Sequence, residues 1–523
     1  MMRVGFSYCL LGRLMGRAAL AAVGAFAALV GSACAESTSG SSWLHSAYSG
    51  IAAEAEQPDV ELTTLLPPAE PLSNAATTGE LPAPAQAIKP DADSMEDVLR
   101  RLDALEKSTK PTGAKKEEAG AKGAPGASGA EKSVIGEWVD MSSDKWNVRL
   151  GGHMQLDSIN WADTAPQVPA FNYIEFRRLR LLAEGTGYGV YDFRLQIDIE
   201  PENGEGTDRP VVDIKDAYLT MNELPSPLNR WRIGNFFVPF SLEQVTNDTN
   251  NIFLERSIPT QGVFAADREV GTAFYGVNDA KDLTWTFGTF VDGLSESLKE
   301  RVDDNQGQRV SGRLTYLPYY DEPSNGRYLV HTGAGLLYTK DQDGIARFRA
   351  RPQIHEGPFL IDSGPLAAGE YTTGNLELAS VWGPFTVQSE AFLSNVNMTG
   401  ADSEWLSGAY VHCSYFLTGE NRVYERYGQH GAQFGRQTTF SNFFWVPGCC
   451  GPGAWEMKAR WSNLNLNNVD AGTYNDFTTG FNWYWSERIR IMFDYIHPVT
   501  APGTKPYGAT TSDIIGMRFD YNF

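Results

Sequence analysis

From Asp144 to Phe523 apolar and polar residues alternate one for one, in runs broken by clusters of turn-forming residues. Alternation of period two marks a β-strand, because successive side chains point to opposite faces. Trp455, Met457, Ala459 and Trp461 alternate with Glu456, Lys458, Arg460 and Ser462. Phe481, Trp483 and Trp485 alternate with Asn482, Tyr484 and Ser486. After a short break, Ile489, Ile491, Phe493 and Tyr495 alternate with Arg488, Arg490, Met492 and Asp494. Earlier, Phe193, Leu195, Ile197 and Ile199 alternate with Arg194, Gln196, Asp198 and Glu200. The final run sets Ile515, Met517, Phe519, Tyr521 and Phe523 on one face, with Arg518, Asp520 and Asn522 on the other.

A soluble sandwich alternates too, so the choice rests on what occupies each face. Aromatics gather near strand ends, as in the girdles of membrane barrels. The polar face carries charges of both signs in strand after strand. A charge on a lipid face costs roughly 2–4 kcal/mol at the bilayer midplane, so these charges must face a wet lumen. The alternating ending on Phe523 is similar to the C-terminal recognition strand of bacterial outer-membrane barrels. No segment beyond residue 35 offers 18 consecutive apolar residues. A membrane protein without such a run must be a closed barrel, since lipid leaves unpaired backbone groups unsatisfied. The predicted fold is an all-β transmembrane barrel of about 16 antiparallel strands, with a disordered and short-helical N-terminal extension.

The extension reads as four pieces. Residues 1–35 form a signal peptide: Arg3, Arg13 and Arg17, an apolar run from Ala18 to Val30, then the small-residue cleavage pattern Ala33-Cys34-Ala35. A lipoprotein reading would lipidate Cys34, but Gly31 stands where such signals prefer a larger aliphatic residue. Residues 36–93, rich in Ala, Pro, Ser, Thr and Glu, read as a disordered periplasmic segment. In 94–107, Met95, Val98, Leu102 and Leu105 recur at helical spacing and predict a short amphipathic, coiled-coil-like helix. Too short to be stable alone, it pairs with itself in an oligomer, docks on a partner such as the cell wall, or forms only transiently. Residues 108–143 form a flexible linker, and 144–523 the barrel.

Lys and Arg total 43 against 64 Asp and Glu, a net charge of −21, which argues against nucleic-acid binding. Aromatics are 12% of residues, in keeping with wide contact to lipid. Cys413, Cys449 and Cys450 form no disulfide framework, and the adjacent pair reads as loop cysteines rather than a redox or metal site. No G-x-S-x-G, H-E-x-x-H or close metal-ligand cluster is present, so neither an enzyme nor a cofactor or metal is expected.

Ordered blocks in the barrel region resemble one family. EFRRLRLLAEG runs from Glu175, VDIKDAYL from Val212 and WRIGNFFVPFSLEQVT from Trp231. FLERSIP follows from Phe253 and DREVGTAFYG from Asp267. Later come FLTGENRVYERYG from Phe416, GAWEMKARWSNLNL from Gly453 and the closing GMRFDYNF. Together they resemble the phosphate-selective porins O and P. The resemblance implies a trimeric, 16-stranded, anion-selective porin whose constriction carries an arginine ladder and a phosphate-site lysine. On this chain the ladder is Arg347, Arg349 and Arg351, Arg177 and Arg178 match a barrel-wall pair, and Arg256 matches another pore arginine.

The ladder's spacing has a physical reading of its own. Alternate residues of an extended segment share a face, and each guanidinium offers a fork of donors suited to an oxyanion. Such residues on a β surface are also found merely facing solvent. At about 4 Å a unit charge pair is worth roughly 1 kcal/mol in bulk water and about 4 kcal/mol at a surface-like dielectric, enough to concentrate an anion without trapping it.

The chain departs from the family where the lysine would fall: Gln244 stands there, beside Glu243. Lys215 replaces an acidic residue of the phosphate site, and His153 and His355 replace two arginines. The expected function is diffusion of small anions, phosphate or polyphosphate among them, through an outer-membrane porin. The alternatives are a general or cation-preferring porin, supported by Gln244, Asp198 and Glu200, and a barrel that anchors the membrane to the cell wall.

Overall fold

The computed structural model describes residues 145–201, 210–291, 307–443 and 451–523. The signal peptide, the segments up to residue 143, and Cys449 and Cys450 lie outside the described residues. In chain order the strands begin with β1 (Trp146–Thr164), β2 (Tyr173–Gly187), β3 (Tyr191–Pro201), β4 (Pro210–Met221) and β5 (Arg230–Phe237). Next come β6 (Arg268–Val277), β7 (Leu283–Val291), β8 (Gln308–Tyr320) and β9 (Tyr328–Lys340). Four short strands follow: β10 (Ile345–Ala346), β11 (Arg349–Ala350), β12 (Ile361–Asp362) and β13 (Leu366–Ala367). Then come β14 (Glu370–Trp382), β15 (Phe385–Asn397), β16 (Glu404–Phe416), β17 (Tyr424–Gly428) and β18 (Gly431–Phe434). The chain finishes with β19 (Ala454–Asn465), β20 (Thr473–Tyr484), β21 (Ile489–Thr500) and β22 (Thr510–Asn522).

Sixteen of these form one closed antiparallel barrel, β1 to β9, β14 to β16 and β19 to β22, as the alternation predicts. The other six pair off the wall as β10–β13, β11–β12 and β17–β18. Closure joins β1 to β22, with Asp157 opposite Arg518 and Leu156 opposite Phe519. At the seam the last residue is used: Gly152 N–H donates to Phe523 C=O at 3.0 Å, and Phe523 N–H to Gly152 C=O at 3.0 Å. Full closure leaves no strand edge for lipid to strand. Among the described residues no helix is long and apolar enough to cross a membrane.

The faces divide as the pattern predicts. Met457 is 54% exposed on the outside, whereas Arg460 on the same strand is 1% exposed inside. Outer aromatics cluster at the end of the barrel that carries β1's start and β22's finish, here the terminal end. Trp455 stacks on Trp483 at 4.9 Å, and Trp382 meets Tyr328 at 5.3 Å.

Two β-bulges break the alternation usefully. In β2 the register shifts at Arg177, so that Arg177 and Arg178, though adjacent, both turn into the lumen. In β4 the extra residue is Lys215, whose ammonium meets Asp213 at 2.8 Å.

Three connections enter the lumen. Residues 238–267 and 341–369 enter from the end opposite the terminal end, and 417–443 from the terminal end. The first two share an apolar core. Phe264 of the first meets Phe348 of the second at 6.1 Å, and also stacks on Phe392 of β15. The wall makes room with glycine: a Cβ on Gly335 would sit 3.0 Å from the Phe240 ring, and one on Gly333 2.5 Å from the Glu377 carboxylate.

Candidate anion pathway

The connection 238–267 lies across the lumen because the wall supplies partners for its irregular backbone. Phe236, Phe237, Val238 and Phe240 are buried and carry the chain inward. Leu242–Val245 forms one helical turn, with Ser241 Oγ accepting from Gln244 N–H at 3.2 Å. Its first amides, Leu242 and Glu243, donate to the Glu390 carboxylate at 3.1 and 2.8 Å. Further on, carbonyls without a sheet partner receive wall side chains, as buried backbone groups require. Asn482 donates to Ile252 C=O at 2.9 Å, Arg490 to Asn251 C=O at 2.6 Å and Arg460 to Glu255 C=O at 2.9 Å. Asp494 accepts from Leu254 N–H at 2.9 Å.

Two carboxylates of this connection collect the wall arginines. Glu255 meets Arg177 at 2.8 Å, Arg518 at 2.9 Å and Arg178 at 3.8 Å. Asp248 meets Arg180 at 2.7 Å, Arg256 at 2.7 Å and Arg178 at 3.3 Å. Burial alone would raise both carboxyls. For Asp248 it is outweighed by Arg178, Arg256 and Arg180, for Glu255 by Arg177, Arg178 and Arg518, so both lie well below the usual carboxylate range. Arg256 also donates to the carbonyls of Glu243, Gln244 and Thr246 at 3.2 Å each, finishing the helical turn. Gln244 donates to Asp267 at 3.1 Å.

The connection 341–369 carries Arg347, Arg349 and Arg351. Phe348 and Ala350 between them are buried, so the three arginines share the opposite, open face. Arg347 donates to Asp362 at 2.9 Å. The guanidiniums of Arg349 and Arg351 lie 4.1 and 4.3 Å from the Phe359 ring centroid, which spaces them without neutralising them. Beyond Arg351 the chain dips to the wall, where Gln353 donates to Ser462 at 2.6 Å. His355 Nδ1 lies 2.9 Å from Glu175. Its pKa is lowered to about 3, by burial first and then by Arg177, so near neutral pH the uncharged ring donates Nδ1–H to Glu175.

The structure therefore gathers Arg177, Arg178 and Arg256 about one acid pair, keeps Arg347, Arg349 and Arg351 on a second connection, and links the two through His355. Lys215 stands apart on Asp213. His153 is buried on β1, its Nε2 without a hydrogen-bond partner among the described residues, beside a cavity of about 530 Å³.

That cavity and one of about 340 Å³ share Arg149 and Glu184 in their linings, near the terminal end. Across the two linings stand Arg149, Arg194, Arg230, Arg232, Arg436 and Arg488, against only two carboxylates, Glu184 and Asp192. Sequence reasoning put Arg194 and Arg488 on the lumen-facing side of their strands but named none of the six among the pathway residues. The β17–β18 hairpin shapes the space: Arg230 donates to Gly428 C=O at 2.9 Å and Arg232 to Gln429 C=O at 2.8 Å. Arg149 and Arg436 make no ion pair among the described residues. The alternation of Arg230 and Arg232 in the run from Arg230 was the available signal, but nothing in the sequence marks residues 424–434 as an inward hairpin.

Comparison with known proteins adds four observations. The family described as phosphate-selective porin O and P matches residues 148–523. An uncharacterised protein of Caulobacter vibrioides is 27% identical over 331 residues, 61% of this chain and 62% of that one, so the chain spans less than two thirds of that relative's length. Porin O of Pseudomonas aeruginosa is 23% identical over 454 residues, 75% of this chain and 92% of that one. Among solved structures, an anion-selective porin from Comamonas acidovorans aligns with a TM-score of 0.41 at 12% identity, over 72% of this chain and all of that one.

Proposed function

The chain belongs to the phosphate-selective porin O and P family, an outer-membrane porin family, and on that premise we propose that it passes small anions, phosphate among them, by diffusion. The observation that carries this reading is the terminal-end space, lined by six arginines and two carboxylates, with Arg194 held by Glu184 and by Asp216 behind the lining. Confined between low-dielectric walls, such an excess raises the local concentration of anions. Arg347, Arg349 and Arg351 supply a second cationic station at the other end of the route. Between the stations Arg177, Arg178 and Arg256 are held by acids, which keeps each site weak enough to release its ion. The protein acts as a channel and not as an enzyme. The strong net negative charge does not oppose this, since selectivity follows the local field.

In the same reading the barrel is a homotrimer in outer-membrane lipid. Residues 36–143 lie on the periplasmic side, and the helix 94–107 pairs between subunits or meets the cell wall. Gln244, His153, His355 and Lys215 tune the route, with Gln244 unable to supply the charge of a lysine. The test is the reversal potential of the protein in a planar bilayer under a salt gradient, repeated with added phosphate. Anion-selective current that phosphate blocks is the expected result. Anion preference without block would leave a general anion porin, and cation preference would overturn the reading.

A further inference from the structure

Once the lumen arginines near β2 have been matched with acids, two carboxylates remain. Arg177 and Arg518 hold Glu255, Arg518 also holds Asp157, and Arg178, Arg180 and Arg256 hold Asp248. Glu175 on β2 and Glu356 in the connection 341–369 meet no guanidinium among the ion pairs of the described residues. The imidazole of His355 stands between them, its Nδ1 2.9 Å from Glu175 Oε1 and 3.8 Å from Glu356 Oε1. Ligand atoms of the three residues lie within 4.8 Å of one another. The side chains of His355 and Glu175 are 11% and 10% exposed. Glu356 Oε1 is shut off from solvent and accepts no hydrogen bond. The Glu356 side chain is 26% exposed, but its Oε1, buried and unpaired, is an acceptor that a bound cation would satisfy.

We infer that Glu175, His355 and Glu356 bind a divalent transition-metal ion of the zinc class, which ties the connection 341–369 to the barrel wall. One imidazole nitrogen with two carboxylates is a donor set for a borderline ion. Calcium seeks six or more oxygens, and magnesium an octahedral shell of oxygens. Bonds of about 2.0–2.2 Å hold neighbouring tetrahedral ligands roughly 3.3–3.6 Å apart. The observed 2.9 and 3.8 Å bracket that spacing, so entry of the ion needs small side-chain shifts and movement of the Nδ1 proton to Nε2, which frees the Nδ1 lone pair.

The supporting contacts are already in place. Glu356 N–H donates to Tyr173 Oη at 2.9 Å. Arg351 donates to the carbonyls of Gly357 at 2.9 Å and His355 at 3.3 Å, and so braces the ligand-bearing turn from the ladder side. Three protein ligands leave a fourth position for water or an anion. The inference does not depend on which ion the pore passes.

The test is zinc titration of the full-length, chelator-treated protein in detergent by calorimetry. Expected is one saturable site per chain that His355→Gln and Glu356→Gln each weaken roughly tenfold or more. His497→Ala is the control. His497 pairs with Asp513 at 2.7 Å on another part of the barrel, and its loss should change nothing. Variants that do not fold are replaced in the test by X-ray absorption at the zinc edge of the wild-type protein, which should show mixed nitrogen and oxygen ligation. Absence of a saturable site, wild-type affinity in both folded ligand variants, or a site abolished by His497→Ala would overturn the inference.

Discussion

Glu255→Gln should loosen the connection 238–267 and raise conductance. The carboxylate meets Arg177 at 2.8 Å, Arg518 at 2.9 Å and Arg178 at 3.8 Å. Removing one side of a buried ion pair costs about 3–5 kcal/mol, because the other side is left uncompensated. Here Arg518 keeps both contacts with Asp157 at 2.6 Å, and Arg178 keeps Asp248 at 3.3 Å. The lower end, about 3 kcal/mol, is therefore the working figure. At about 1.4 kcal/mol per factor of ten, this is roughly a hundredfold shift toward the released connection. The backbone contacts at Asn251, Ile252 and Leu254 remain, so the segment should fluctuate rather than leave the lumen. The assay is single-channel recording in planar bilayers, with circular dichroism confirming the folded barrel. Larger, noisier openings are expected at neutral pH. The sign with pH follows from the depressed carboxyl: its stabilisation is complete above the ordinary value of 4.5 and is lost as pH falls through the lower folded value. Wild-type conductance should thus stay flat from neutral pH to below about 4.5 before it loosens. A folded Glu255→Gln channel with wild-type conductance and noise would refute the reasoning.

Three further changes test other parts of the reading. Replacing Arg347, Arg349 and Arg351 together by Ala should cut anion preference in reversal-potential measurements; unchanged selectivity would remove them from the route. Gly335→Ala places a Cβ within clash distance of Asn375 Oδ1 and 3.0 Å from the Phe240 ring and should cost about 1–3 kcal/mol in denaturant-induced unfolding, with no cost meaning that these side chains yield there. Deleting residues 36–133 should leave single-channel conductance intact, and a lost signal from correctly inserted protein would make that segment part of the channel.

The wall was legible in the sequence because a barrel imposes one rule on every strand: lipid-facing and lumen-facing positions must alternate. The rule even marks its own exceptions. In the run FRRLR, strict alternation would send Arg177 or Arg178 into lipid at a cost of roughly 2–4 kcal/mol, and the bulge at Arg177 turns both inward. Lys215 beside Asp216 marks the bulge of β4 in the same way. The lumen was far less legible. Its segments are held by single contacts between residues distant in sequence, such as Asp494 with Leu254 N–H, and no local pattern encodes these. Family resemblance pointed to Arg256 as a pore arginine, and what it touches is a helical turn and Asp248. The inward hairpin of β17 and β18 left no trace in periodicity, so the arginines it faces were missed with it.

Charge balance inside the barrel predicts how selectivity depends on salt. About the crossing connection, Arg177, Arg178, Arg180, Arg256, Arg460 and Arg518 each meet a carboxylate, and such pairs exert a field that fades quickly with distance. The excess sits elsewhere, at the terminal-end arginines and on the open face of the second connection. These groups border wet space, so mobile ions screen them. The screening length falls from about 10 Å at 0.1 M salt to about 3 Å at 1 M. If the excess sets selectivity, anion preference should weaken strongly across that range, and Arg149→Ala with Arg436→Ala should remove most of the difference between low and high salt. Contacts made at the buried, paired centre would be screened much less. A preference that holds from low to high salt would therefore move the selecting step from the vestibule to the Asp248 and Glu255 crossing.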